Sequence, residues 1–77
     1  MTLHNGDPVV INWDGKTVRG WIVIASENQV SLLVSWDYKT YDRLIAGHLG
    51  TMALLRNRDG SYRTLQGREN ITIEAVQ

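Results

Sequence analysis

Residues 9–25 read VVINWDGKTVRGWIVIA, and this stretch decides the fold class. Its two halves are rich in β-branched and aromatic residues, which favour strands. The Asp14-Gly15 pair between them is a strong hairpin signal, because glycine accepts the positive φ of a tight turn. The stretch therefore predicts two antiparallel strands, residues 9–13 and 17–25.

The rest of the chain repeats this alternation of apolar runs and turn signals. A polar turn at residues 26–29 precedes a third predicted strand over 30–36. A second hairpin, at Asp59-Gly60, separates predicted strands over 51–56 and 61–65, and residues 71–76 alternate as a last strand. Five to six short strands joined by tight turns predict an all-β fold, a small antiparallel SH3-like barrel, as one domain over residues 1–77.

Residues 37–50 follow a different pattern. A helical period is indicated by Tyr38, Tyr41, Leu44, Ile45 and Leu49, but glycines interrupt the run. We interpret this segment as a loop with one short helical turn.

The second strand assigns faces to its side chains through its period of two. Val18, Gly20, Ile22 and Ile24 are predicted to face inward, with Trp21, Val23 and Ala25 on the opposite face. The chain contains three tryptophans, and a core this small cannot bury all of them fully. Trp21 is the first candidate for an outer apolar patch. The alternative is a second small core that the middle segment closes over.

Composition excludes several classes of function. Eight basic and eight acidic residues give a net charge of zero, which excludes a polybasic binder that acts through bulk charge and leaves little repulsion against self-association. No apolar run is long enough to span a membrane, and the N-terminus has no signal-peptide pattern. The absence of cysteine excludes disulfides and is consistent with a reducing compartment. We therefore expect a cytoplasmic protein without a membrane partner.

Motifs for metal or covalent chemistry are missing. The two histidines, His4 and His48, have no ligands at zinc-site spacing, and no serine lies in a nucleophile motif. The segment 47–50, Gly-His-Leu-Gly, lacks the lysine of a phosphate-binding loop. We predict no cofactor, metal or catalytic residue. One alternative is a site that an oligomer builds when His48 from several copies lines a shared pore.

Candidate binding residues were chosen from turns, glycines and aromatic rings. Glycines around His48 allow a tightly turned backbone that presents the imidazole, although His48 would equally suit a hydrogen bond to a strand carbonyl. Large aromatic side chains commonly anchor protein contacts. The candidates are Trp21, Ser26, Asn28, Trp36, Gly47, His48, Gly50 and Tyr62.

Basic residues cluster around the second hairpin. Arg56, Arg58, Arg63 and Arg68 against one aspartate give residues 56–68 a net charge of +3, with Tyr62 among them. Arginine combined with aromatic residues is typical of single-stranded nucleic-acid contacts. The alternative is an ordinary solvated face in which Asp59, Glu69 and Glu74 pair with the arginines.

Several short motifs occur along the chain: Ala25-Ser26-Glu27-Asn28, Ser31-Leu32, Gly47-His48-Leu49-Gly50, Met52, Tyr62-Arg63 and Gly67. Together they resemble a group of short uncharacterised proteins encoded by phages, prophages and other mobile elements. The resemblance spans residues 6–73 and implies a mobile-element setting but no activity. Thr51 and Ala53 stand where the group often has Met and Pro.

A looser similarity links the chain to type II dihydrofolate reductases, which are of similar length and SH3-like. Their Val-Gln-Ile-Tyr active-site motif is absent here, so that chemistry is not transferred. These observations favour a binding or assembly module that forms homo-oligomers or contacts a protein partner. Binding of single-stranded nucleic acid through Arg56–Arg68 is the alternative.

Overall fold

The computed structural model describes residues 2–13, 15–36 and 50–76. These residues form an all-β structure, and none of them lies in a helix that could cross a membrane. The described part of the chain contains six strands: β1 (Pro8–Trp13), β2 (Lys16–Ala25), β3 (Ser31–Trp36), β4 (Thr51–Arg56), β5 (Tyr62–Thr64) and β6 (Thr72–Ala75).

The strands form one antiparallel sheet in the order β5-β4-β3-β2-β1-β6. The first five strands follow one another as a meander, and β6 returns to pair with β1. The sheet curls until its two ends meet, because Tyr62 and Ile71 exchange two backbone hydrogen bonds of 2.7 Å. This arrangement confirms the predicted small antiparallel barrel.

The predicted turn chemistry is present at both Asp-Gly hairpins. Gly15 and Gly60 have φ values of +77° and +92°, in the left-handed region that glycine adopts without a steric penalty. Each end of a predicted strand lies within one residue of the observed end. The interpretation of residues 37–49 as a loop with a helical turn lies outside the described residues.

The barrel interior is filled by apolar side chains from all parts of the sheet. Those of Val9, Ile11, Val18, Ile22, Val34, Leu54 and Ile71 are among the fully buried ones. Ile73 and Ala75 pack against this core from β6, as the alternation of the last strand predicted.

One residue of β2 departs from the predicted faces. Ile22 lies opposite Val34, but Ile24 lies opposite Leu33, so two β2 residues match one residue of β3. The extra residue forms a β-bulge, which exchanges the faces of the residues that follow it. The prediction that Ile24 faces inward is therefore wrong, and 56% of its surface is exposed. Ala25, predicted on the opposite face, instead packs half-buried against the core.

Candidate functional site

The outward side of strands β2, β3 and β4 carries two cross-strand rows of neutral residues. One row runs from Trp21 through Ser35 to Thr51. The next row runs from Ile24 through Leu33 to Ala53. Neighbouring rows on one face of a sheet lie close enough for large side chains to touch.

Leu65 extends this surface past the edge of β4. It lines a groove of about 330 Å³ together with Ile24, Leu33 and Ala53, and it is 61% exposed. A second groove of about 380 Å³ continues from Ala53 and Leu65 along Thr64. We call the surface formed by Trp21, Val23, Ile24, Leu33, Ala53 and Leu65 the outer apolar face.

Trp21 lies on this face with 45% of its surface exposed, as expected for an outer apolar patch. Val23, in the bulge, is also exposed. Sequence reasoning missed the larger part of the face, because nothing in the run WIVIA marks which residue is the extra one. The signal for Leu65 was an apolar residue placed directly before the Gln66-Gly67 turn.

The other two aromatic candidates are parts of the core. Trp36 is 2% exposed and Tyr62 is 6% exposed, so neither offers a ring to a partner. The Tyr62 hydroxyl donates to the Gln29 carbonyl at 3.2 Å, and burial raises the pKa of the phenol while the Arg56 charge opposes that shift. These two residues are therefore corrected from contact residues to core residues.

Trp36 retains one unsatisfied polar group. Its indole Nε1 is buried and has no hydrogen-bond acceptor among the described residues. The adjoining backbone is well satisfied, because the Trp36 amide donates to the Gly50 carbonyl at 2.8 Å.

Ser26 and Asn28 close the turn between β2 and β3. The Ser26 hydroxyl donates to Asn28 Oδ1 at 3.1 Å and accepts from the Ser31 amide at 3.0 Å, while Asn28 Oδ1 also accepts from the Val30 amide. Such side-chain bonds to nearby backbone stabilise turns. The Ala-Ser-x-Asn pattern thus has a local structural reason.

Gln29, which sequence reasoning passed over, holds the N-terminal segment against this turn. Its Oε1 accepts from the Leu3 amide at 2.7 Å and its Nε2 donates to the Leu3 carbonyl at 2.9 Å. Its φ of +64° is unusual for a residue with a side chain. These bonds bring the side chain of Leu3 into the core.

Three residues of the predicted Gly-His-Leu-Gly site, Gly47, His48 and Leu49, lie outside the described residues. Gly50 is buried with a φ of +82°, the positive value expected for a tightly turned backbone. Its carbonyl also accepts from the Ser35 hydroxyl at 2.6 Å.

Three arginines of the second hairpin region converge on one open groove of about 500 Å³. Arg58, Arg63 and Arg68 line it with Asp59. The remaining lining residues are Asn57, Gly67 and Asn70. We call this feature the arginine groove; Arg56 is exposed but does not line it.

The acidic residues near the groove are engaged by hydroxyl and amide donors. Asp59 Oδ1 accepts from the Ser61 hydroxyl at 2.6 Å and from the Ser61 amide at 2.9 Å, and these bonds lower the pKa of Asp59. Both carboxylate oxygens of Glu69 accept from the Thr64 hydroxyl. In the part of the chain that the structure describes, no ion pair joins an arginine of this region to Asp59 or Glu74.

The predicted solvated face of paired charges is therefore not formed with Asp59 or Glu74. A metal site is also not visible in the described ranges, since no three His, Cys, Asp or Glu side chains come together there. The described surface therefore includes a neutral apolar face and a basic groove.

Comparisons with known proteins add no family to this description. The chain matches no family model, and searches of curated proteins and of solved structures found no significant match. The resemblance to mobile-element proteins stays a prediction.

Proposed function

We propose that this protein is a non-catalytic assembly module that binds a second copy of itself through the outer apolar face. The observation that carries the proposal is the joint exposure of Ile24, Leu65 and Trp21 on one side of the sheet. Removing apolar surface from water contributes about 25 cal/mol per Å². A continuous apolar face on a small barrel is typical of an interaction surface.

Electrostatics favours a second copy as the occupant. The rows Trp21–Ser35–Thr51 and Ile24–Leu33–Ala53 contain no charged side chain, so two such faces can meet without burying a charge. The net charge of zero leaves little long-range repulsion between copies. A small domain also gains stability when association buries more of its surface.

Trp21 is the expected anchor of this contact. Tryptophan is enriched among the residues that dominate binding energy, because its large rigid ring loses little entropy on burial. Ser35 and Thr51, next to it in the row, are small and neutral, and they leave the ring accessible.

The test is the molar mass in solution, measured by light scattering across about a tenfold range of concentration. We expect the mass to rise with concentration toward that of a dimer or higher oligomer. The Ile24→Ser, Leu65→Ser and Trp21→Ala variants should shift the equilibrium toward the monomer.

Val30→Ser provides the matched control. Val30 is an apolar residue of similar exposure in the β2–β3 turn, and it lines neither apolar groove. This variant should keep the wild-type mass profile. A strict monomer at all concentrations, or an equal effect of Val30→Ser, would contradict the proposal.

The rest of the proposal concerns setting and the alternative function. The absence of cysteine supports a cytoplasmic location, and the short motifs support a mobile-element origin. Binding of single-stranded nucleic acid through Arg56, Arg58, Arg63 and Arg68 remains the second candidate. It is supported by arginines that, among the described residues, form no ion pair with Asp59 or Glu74. Tyr62, the ring expected to stack on the bases in that mode, is buried.

A further inference from the structure

We infer that the arginine groove is a binding site for a phosphate group. The site is separate from the outer apolar face, since the two share no lining residue, and the inference does not depend on self-association. It combines residues from two turns that the barrel closure brings together: Arg58 from the β4–β5 hairpin and Arg68 from the segment before β6.

The first step is the availability of the guanidinium groups. Arg58 and Arg68 make no hydrogen bond or ion pair with any other residue that the structure describes. The Arg63 side chain is held in place by two hydrogen bonds. Its Nη1 donates to the Arg56 carbonyl at 3.0 Å and to Asn57 Oδ1 at 2.9 Å. Its remaining N–H groups are left to donate to a ligand.

The second step is that Asp59, which lines the groove, cancels only part of this charge. Three arginines and Asp59 leave the charged lining of the groove at +2. Asp59 directs one carboxylate oxygen to Ser61. Asn57 is also fixed, because its Nδ2 donates to Ser61 Oγ and to the Glu69 carbonyl. The groove is therefore a basic site with a supported wall.

The third step is the choice of ligand chemistry. A guanidinium fork binds carboxylate or phosphate through two parallel hydrogen bonds. A carboxylate has two oxygens and one charge, which suits one fork. A phosphate offers more oxygens, so it can accept hydrogen bonds from several forks. Its negative charge, one in a backbone diester and up to two in free phosphate, is attracted to the +2 lining. Phosphate is the anion that fits three arginines.

Phosphate chemistry has two possible sources, a small phosphate-bearing molecule or the backbone of a single-stranded nucleic acid. An open groove admits either, and the backbone case corresponds to the nucleic-acid alternative. The experiment below separates them by using one probe for each source.

The experiment follows backbone amide resonances of the full chain by NMR at low ionic strength. The probes are inorganic phosphate, an oligothymidylate and, as a carboxylate control at equal ionic strength, acetate. We expect saturable shifts at residues 57–70 with phosphate and much weaker ones with acetate. Arg58→Gln and Arg68→Gln should each weaken phosphate binding about three- to tenfold.

Arg19→Gln is the matched control, because it removes the same charge from an exposed residue of β2 that does not line the groove. Its affinity for phosphate should remain within about twofold of wild type. Since Arg58 and Arg68 form no hydrogen bond or ion pair with a described residue, spectra outside the groove should show that both variants stay folded.

Each outcome decides the inference. If oligothymidylate shifts the same resonances and added phosphate displaces it, the result supports the site and assigns it to a nucleic-acid backbone. Phosphate shifts without oligothymidylate shifts support the site and assign it to a small ligand. Absence of saturable shifts with either probe, equal binding of acetate, or an equal loss in Arg19→Gln overturns it.

Discussion

Ile24 lies opposite Leu33 across the β2–β3 ladder, one position beyond the pair of Ile22 and Val34. Between these two pairs β2 advances by two residues while β3 advances by one. Because side chains alternate with a period of two, this single extra residue moves Ile24 from the core side to the outer side. The outer apolar face of the barrel depends on that bulge.

The bulge predicts that two isoleucines of the same strand contribute very differently to the free energy of unfolding. Ile22→Ala should lower the free energy of unfolding by about 3 kcal/mol, because it leaves a cavity in a fully buried site. Ile24→Ala should cost less than about 1 kcal/mol, because most of that side chain already contacts water. Urea unfolding of dilute protein measures both. Similar losses in the two variants would place Ile24 in the core and contradict the bulge.

The close approach of β2 to β3 requires glycine at position 20, because a side chain there would meet the backbone of β3. A Cβ atom there would overlap the Ser35 carbonyl oxygen and approach Ile11 Cδ1 to 3.2 Å. Gly20→Ala should therefore destabilise the fold by about 2 kcal/mol or more in urea unfolding.

Gly60→Ala is the comparison for Gly20→Ala. Nothing lies within 4 Å of the added methyl group there, and only the φ of +92° opposes it. Its cost should be smaller, about 1 kcal/mol. A Gly20→Ala variant as stable as wild type would mean that β2 and β3 are not this close.

The Gln29 amide should stabilise the N-terminal segment. Gln29→Ala removes both bonds to the Leu3 backbone, and each such bond contributes about 1 kcal/mol. We expect a loss of about 1–2 kcal/mol in unfolding free energy and faster hydrogen exchange at the Leu3 amide. Gln66→Ala, at an exposed position in another turn, should change neither quantity. Unaltered Leu3 exchange in Gln29→Ala would refute this role.

Acid should weaken the β4–β5 hairpin through Asp59. The Ser61 hydroxyl, and then the Ser61 amide, lower the pKa of Asp59 below its ordinary value of 3.8. A lowered folded-state pKa stabilises the fold while the group is ionised, and this contribution is lost as pH falls below about 4 through the folded-state pKa.

Unfolding free energies measured from about pH 5 to about pH 2 test this linkage. Asp59→Asn cannot titrate, so its stability should fall less over this interval than that of the wild type. Ser61→Ala removes the largest cause of the shift and should also reduce the pH dependence. Parallel curves for the wild type and both variants would exclude Asp59 as the titrating group.

The sequence by itself determined the strands and turns, because these depend on local chemistry. Alternating β-branched residues favour extended backbone, and the glycines at positions 15 and 60 supply the positive φ that hairpins need. The pairing of β1 with β2 and of β4 with β5 followed from the Asp-Gly turns predicted between them. The alternation of residues in the last strand also predicted that Ile71, Ile73 and Ala75 face the core.

Only the tertiary structure decided which of these residues are available at the surface. Three tryptophans of equal hydrophobicity end in different environments: Trp36 in the core, Trp13 partly covered and Trp21 exposed. The bulge arises from the fit of β2 to its neighbour, which local propensity does not specify. Likewise, the arginines of two separate turns share a groove because Tyr62 pairs with Ile71, and such long-range pairing depends on the packed core as a whole.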